Sequence, residues 1–258
     1  MSHRIVRKER MAGDTYLFEI AAPLVAERFQ PGQFVILRIT EKGERIPLTI
    51  AGAEPGKGTI MLIVQALGKT TRQLASLDPG ERITDCIGPL GNPSETGHFG
   101  RVVCIGGGTG IACIFPIIKA LANAGNEVIS IIGARTARLL FLEEEIGRLS
   151  KEMHITTDDG SRGRRGFVTD ALAELIGRYD GPAGLNRVVA IGPPLMMQAV
   201  AEATRPHRIK TTVSLNTIMV DGTGMCGACR VYIDGEMKFA CIDGPEFDAH
   251  QVNFGDLI

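Results

Sequence analysis

An antiparallel β-barrel, then a doubly wound α/β domain with a parallel sheet, then a small cysteine-bearing module is the architecture predicted for this 258-residue chain. Three observations predict it. Short alternating segments with Gly/Pro turns between them fill residues 4–90, a pattern of barrel strands. From residue 102 the period changes, and apolar strands alternate with helices around a glycine-rich turn, as in parallel sheets covered on both faces. Cys226, Cys229 and Cys241 then follow Asp221 in a spacing that neither kind of core requires. The expected boundaries are 1–98 for the barrel and its linker, 99–213 for the α/β domain and 214–258 for the module.

In the barrel, strands are expected at Arg4–Arg10, Thr15–Ala21, Gln33–Ile39, Arg45–Ala51, Thr59–Gln65 and Arg82–Gly88, separated by PGQ, EKGE, EPGKG and DPGE turns. One helix is expected at Thr70–Leu77. Arg45 and Thr49, in the run Arg45-Ile46-Pro47-Leu48-Thr49, lie four residues apart and therefore on one face of their strand. That face can offer a guanidinium to a diphosphate and a hydroxyl to a ring. Gly68-Lys69-Thr70-Thr71 leads into the helix, whose first turn presents free N–H groups and a positive dipole end. An ordinary edge strand and an ordinary threonine cap account for the same residues, so both readings stay open.

After a linker from Gly91 to Gly100, the strand Val102–Ile105 runs into Gly106-Gly107-Gly108-Thr109-Gly110 and a helix to about Ala124. Strand, glycine-rich turn and helix together cradle phosphate in nucleotide-binding βαβ units. No frame gives G-x-G-x-x-G, and Arg135 follows the second strand, Glu127–Ala134, where an acidic ribose ligand would stand. Further strands are expected at Met153–Thr157 and Arg187–Ile191, and helices at Glu143–Leu149, Thr169–Gly177 and Leu195–Ala203. Loops at strand C-terminal ends carry function in such sheets. Here they are Gly106 to Gly110, Asp158-Asp159-Gly160-Ser161 and Gly192-Pro193-Pro194-Leu195-Met196. The bland alternatives are a solvated acidic turn and methionines that fill the core.

Asp221, four residues, Cys226, two residues, Cys229, and then Cys241 is the plant-type [2Fe-2S] spacing with Asp in the first position. Gly222, Gly224 and Gly227 let the backbone turn its N–H groups toward sulfur. A structural zinc is the competing reading, but His250 has no partner at the usual histidine spacing. Cys86, Cys104 and Cys113 sit among apolar neighbours and are expected as small buried hydrophobes. The net charge of -1 excludes a protein that lives on nucleic-acid phosphate. Glycines, Pro116 and Lys119 interrupt the most apolar stretch, 102–122, so no membrane insertion is expected. The start MSHRIVRKERM has no apolar h-region, so the cytoplasm is the expected location.

The order RxPxT, GxxT helix, GGGTGIA and GPPxMM resembles the ferredoxin-NADP reductase family. With the terminal cluster the resemblance narrows to the electron-transfer subunits of class B dihydroorotate dehydrogenases. It is stronger still to the small subunits of electron-bifurcating NADH-dependent reduced ferredoxin:NADP oxidoreductases, which offer Asp plus three Cys as VDGTGMCGACRV does here. The resemblance implies FAD, NAD(H) and a [2Fe-2S] cluster in an NAD(P)H-dependent oxidoreductase subunit. It places Arg45, Gly68, Thr70 and Thr71 on the FAD diphosphate and Thr49, the catalytic candidate, near flavin N5. Ile46, Pro47, Leu48, Ile63 and Gln65 complete the flavin site. Gly107, Gly108, Thr109, Gly110, Arg135, Asp158, Asp159, Gly192, Pro193 and Met196 serve the nicotinamide cofactor, and Asp221, Cys226, Cys229 and Cys241 hold the cluster. Ile191 stands where simple reductases have Cys, and Ala112-Cys113 replaces their Ala-Pro.

The implied partner is a larger flavin and [4Fe-4S] subunit, with ferredoxin reached through it. A dihydroorotate dehydrogenase subunit, a stand-alone ferredoxin or flavodoxin reductase, and a nucleotide-sensing module with structural zinc are the alternatives. NAD(H) is expected over NADP(H), because Asp158 and Asp159 would repel a 2'-phosphate. Arg135, Arg162, Arg164 and Arg165 weigh against that expectation.

Overall fold

The computed structural model describes residues 3–179 and 184–257. Its chain forms two compact units: residues 1–94, 216–230 and 238–245 in the first, and 95–215, 231–237 and 246–258 in the second.

The first unit contains β1 (His3–Ala12), β2 (Thr15–Ala21), α1 (Pro23–Arg28), β3 (Phe34–Arg38), β4 (Arg45–Glu54), β5 (Thr59–Gln65), α2 (Lys69–Ser76), β6 (Arg82–Ile83) and β7 (Asp85–Leu90). The strands form one antiparallel sheet in the order β6-β1-β2-β5-β4-β3-β7. Its first and last strands are separated in sequence by Thr84 alone, so the sheet curls into a nearly closed barrel. Thr84 donates from both N–H and Oγ1 to Ile39 O, at 3.2 and 3.0 Å, which fixes the corner. The expected single strand Arg82–Gly88 is therefore two, bent at this threonine. Phe18, Ile20, Val35, Leu37, Ile50, Ile60 and Leu62 fill the interior, each fully buried side chain contributing roughly 1.5–3 kcal/mol. The helix α1 was not expected: at six residues it is too short to show a period, though Pro23 opens it and Val25 and Ala26 are buried.

The second unit begins with β8 (Arg101–Gly107), α3 (Gly110–Asn123), β9 (Glu127–Ala134), α4 (Glu143–Leu149), β10 (Glu152–Thr157), β11 (Arg164–Arg165), α5 (Val168–Arg178), β12 (Arg187–Ile191), α6 (Pro194–Thr204) and β13 (Lys210–Ser214). The hairpin β14 (Arg230–Ile233) and β15 (Glu236–Phe239) follows, and then β16 (Glu246–Asp248). The sheet order is β11-β10-β9-β8-β12-β13-β16. It is parallel except at β16, which pairs antiparallel to β13 and corrects the expectation of an all-parallel sheet. The chain moves outward from β8 to β10, then crosses back to β12 and moves the other way. Right-handed crossovers accordingly place α3 and α4 on one face and α5 and α6 on the other. The direction reverses between β8 and β12, where open α/β sheets bind their ligands. No helix among the described residues is long and apolar enough to cross a membrane.

Candidate redox-cofactor sites

On β4 the alternation is clean. Ile46 and Leu48 pack against the barrel core, so Arg45, Pro47 and Thr49 share the outer face. On neighbouring β5, Leu62 and Val64 point inward and half-buried Ile63 and Gln65 outward. Arg45, Pro47, Thr49, Ile63 and Gln65 thus form one stripe, to which Ile46 and Leu48 can add only backbone contacts. Arg38, which pairs with Arg45 across the ladder, is neutralised by Asp85 at 2.5 Å, whereas Arg45 is exposed and has no acidic partner among the described residues. In α2 the Gly68 N–H donates to Thr71 Oγ1 at 3.0 Å, and Thr70 Oγ1 donates to the Glu44 carboxylate at 2.5 Å. The N–H groups of the first turn have no carbonyl ahead of them in the helix. These residues suit a flavin dinucleotide: a guanidinium and a helix start for diphosphate, beside an apolar stripe for a ring.

The cluster ligands expected from spacing come together in two pairs. Asp221 Oδ1 accepts from Thr223 N–H at 2.8 Å and Oδ2 from Cys226 N–H at 2.7 Å. The Thr223 N–H above all, then that of Cys226, holds the carboxyl below the usual range, and the Cys226 thiol also touches it. Ala240 N–H donates to Cys229 O at 3.0 Å, which carries Cys241 next to Cys229. Burial, and then the adjacent Cys229 sulfur, pushes the Cys241 thiol up to about 12. A [2Fe-2S] group takes two donors on each iron, and a structural zinc four around one point. Among the described residues no three His, Cys, Asp or Glu side chains converge on one point. The paired donors therefore fit the binuclear group, with Asp221 and Cys226 on one side and buried Cys229 and Cys241 on the other.

Gly222 has φ +73°, and a Cβ there would lie 2.6 Å from Leu90 Cδ1 and 2.9 Å from Ile36 Cγ1. This loop is pressed onto the barrel, and only glycine permits the approach. Gly222→Val is accordingly expected to abolish cluster loading while the barrel keeps its flavin, read as iron content against flavin absorbance. Wild-type iron content in that variant would contradict the packing described.

At the sheet edge of the second unit, the glycines of the turn have separate tasks. Gly110 lies where a Cβ would come 2.0 Å from Ile191 O, and Gly107 where it would come 2.3 Å from Met196 Sδ. Gly108, at φ +56°, faces open space and makes the turn. Its N–H is bonded to Gly133 O at 2.9 Å, and the first bond of α3 is Ile111 N–H to Gly108 O at 3.2 Å. The N–H groups of Thr109 and Gly110 lie ahead of that bond, at the positive end of a 14-residue helix. Met196 is wedged between Gly107 and Gly192, just after Pro193 caps α6, so Gly107 makes room for a methionine rather than for a ligand. Sequence reasoning missed this clasp, although the glycines preceding a GPPxMM run were its trace. Beyond β9 and β10, Thr136, Ala137, Arg138, Asp159 and Ser161 line a cavity of about 370 Å3. Asp158 and Arg135 join the strand ends through Asp158 N–H to Ala134 O at 3.2 Å and Asp159 N–H to Arg135 O at 3.3 Å. Arg138 was not singled out from sequence, and Ser161 only as the last residue of the Asp158-Asp159-Gly160-Ser161 loop.

A flavin-type barrel, a nicotinamide-type sheet edge and a paired-donor iron-sulfur loop on one chain define an electron-transfer oxidoreductase of modular build. The comparisons with known proteins agree with each part. Residues 2–94 match the oxidoreductase FAD-binding domain, 104–202 the oxidoreductase NAD-binding domain, and 216–253 the iron-sulfur cluster binding domain of dihydroorotate dehydrogenase B. A Thermotoga maritima dihydroorotate dehydrogenase B electron transfer subunit homolog is 45% identical over 256 residues, covering 99% of this chain and 89% of the relative. The Bacillus caldolyticus dihydroorotate dehydrogenase B (NAD(+)) electron transfer subunit is 34% identical, covering 96% of each. A solved structure of NADH-dependent reduced ferredoxin-NADP oxidoreductase, studied for flavin-based electron bifurcation, superposes with TM-score 0.93 at 44% identity, covering 100% of this chain and 91% of that one. The chain belongs to the family of dihydroorotate dehydrogenase B electron-transfer subunits and their homologues. Its cofactors are FAD, NAD(H) and a [2Fe-2S] cluster. As an electron-transfer subunit it implies a larger partner chain.

Proposed function

We propose that this chain moves electrons between NAD(H) and a larger flavin and [4Fe-4S] partner that handles ferredoxin and NADP(H), in a bifurcating transhydrogenase of the kind the solved relative represents. When bound, FAD exchanges an electron pair with the nicotinamide and the cluster passes electrons singly. The chain's own residues supply placement. Arg45 and the start of α2 hold the diphosphate, Thr49 and Pro47 set the ring on the outer face of β4, and Asp221 with three cysteines fixes the cluster.

One observation carries the proposal. Ile36 lies opposite Pro47, and Phe34 opposite Thr49, in the β3–β4 ladder, and both residues are buried although neither belongs to the barrel interior. Gly222 and Gly91 cover them from outside. The stripe assigned to the ring therefore runs directly into the loop assigned to the cluster, one to two strand spacings of about 5 Å away. Electrons can cross so short a gap without leaving the unit.

The way out lies on the same loop. Ile218 and Met225 are 78% and 88% exposed, beside half-exposed Val220 and Ile242. Apolar residues gathered around a redox centre suit a docking face for the larger subunit. Met225→Glu is expected to lose copurification with the partner while FAD and iron stay bound. Retention of the partner would move the interface elsewhere.

The dihydroorotate dehydrogenase assembly is the second reading, supported by the terminal domain match and by the 34% identical relatives. Asp221 in place of the first cysteine and the 44% identity to the bifurcating enzyme, against 34% to the Bacillus caldolyticus subunit, favour the first. Assay of the copurified complex decides between them: NADH-linked reduction of NADP supported by reduced ferredoxin upholds the proposal, and NAD-linked oxidation of dihydroorotate replaces it. All six cysteines are unpaired, which suits a reducing compartment such as the cytoplasm.

A further inference from the structure

Protein interiors leave few polar atoms without a hydrogen-bond partner, and each one that is left calls for a reason. Among the described residues, the buried side-chain atoms in this position are Thr136 Oγ1, His154 Nε2 and Thr217 Oγ1. Thr136 lines the 370 Å3 cavity at the ends of β9 and β10 and has that space to face. His154 Nε2 has the Glu152 carboxylate 2.7 Å away. Thr217 Oγ1 remains, four residues ahead of the cluster ligand Asp221.

Exposure alternates along the stretch that carries it. Asn216, Ile218 and Val220 are exposed, Thr217 and Asp221 are half-buried, and Met219 is buried. A period of two marks extended chain, so Thr217, Met219 and Asp221 share the inward face. At about 3.3 Å per residue, Thr217 stands roughly 13 Å along the chain from Asp221, which carries its hydroxyl away from the Asp221 and Cys226 donor pair. The stretch belongs to the same compact unit as the barrel. Its far end is pinned there, because Gly222 presses on Ile36 and Leu90. Ile36 lies opposite Pro47 in the β3–β4 ladder. The inward face of the stretch is therefore turned to the outer face of the barrel, on which the flavin ring is placed.

We propose that Thr217 is a flavin-binding residue: its hydroxyl donates to a carbonyl oxygen or an unprotonated ring nitrogen of the bound flavin, so the segment leading into the cluster loop also holds and tunes the ring. This rests on the ring lying on the outer face of β4, as argued under the proposed function. A donor at the polar edge of the ring stabilises the negative charge that reduction adds, and so raises the flavin potential.

Thr217→Val keeps the branched shape and removes the hydroxyl. The full-length, cluster-bearing protein, stripped of flavin and titrated with FAD, is expected to bind about two- to tenfold more weakly in this variant, the range of one neutral hydrogen bond. The flavin midpoint potential should fall, and iron content should stay at the wild-type level. Without FAD the variant should melt at or above the wild-type temperature, because a buried hydroxyl that lacks a partner is a cost its removal lifts. Thr217→Ser should keep wild-type affinity and potential. Unchanged FAD affinity and potential in Thr217→Val overturns the proposal. So does an equal loss of stability with and without FAD, which would make the hydroxyl structural, or a loss of iron with FAD binding intact, which would give it to the cluster. Arg45→Ala in the same titration separates the two levels. If it weakens FAD binding while Thr217→Val does not, the role of Thr217 fails alone; if neither variant weakens it, the flavin site itself is misplaced.

Discussion

Asp221→Ala is expected to yield protein with less than about half the wild-type iron and a bleached cluster spectrum, while FAD remains bound. Removing this carboxylate deletes a donor from the pair on the Cys226 side and frees the N–H groups of Thr223 and Cys226 that it now accepts. The loss is thus a ligand and a loop anchor together. Asp221→Cys should restore iron with a shifted potential, because thiolate and carboxylate differ in softness. Asp221→Asn separates the roles, since it can keep the loop bonds while donating poorly to iron. Full iron content in Asp221→Ala would place the fourth ligand elsewhere and end the two-pair description.

Arg45→Ala should weaken FAD binding by about 1.5–3 kcal/mol, a ten- to hundredfold loss of affinity, the scale of a charge-assisted bond to phosphate. Arg45 has no acidic partner among the described residues, so its removal leaves no orphaned charge and the barrel should melt as wild type does. Arg45→Lys should rescue part of the affinity, lacking the planar fork. The measurement is flavin retention on dilution, with thermal unfolding of the apoprotein as control. Unaltered retention in Arg45→Ala would remove the residue from the flavin site.

Much of the fold was legible because local signals were strong. β2, β5, β9, β12 and α4 occupy the spans that alternation and turns predict. α1 is too short to show a period, and β13, Lys210–Ser214, shows only two buried side chains among threonines and a lysine. The bend at Thr84 depends on Ile39, some forty-five positions away, and no local pattern announces it. For the site, period-two geometry correctly set Arg45 with Thr49, and ligand spacing named the residues that the fold gathers in pairs. What sequence could not give was everything set by packing at a distance: Gly107 facing Met196 and Gly222 pressed on Ile36. These depend on which loops the sheet order brings side by side.

On this reading the chain by itself links a two-electron donor to a one-electron centre. Anaerobic addition of NADH to the partner-free protein, with flavin absorbance and the paramagnetic resonance of the cluster followed together, puts that link to the test. The flavin band should bleach while the signal of the reduced [2Fe-2S] cluster grows, and Cys229→Ser should keep the first change and lose the second. A flavin fully reduced by excess NADH beside a cluster that stays oxidised would contradict the link.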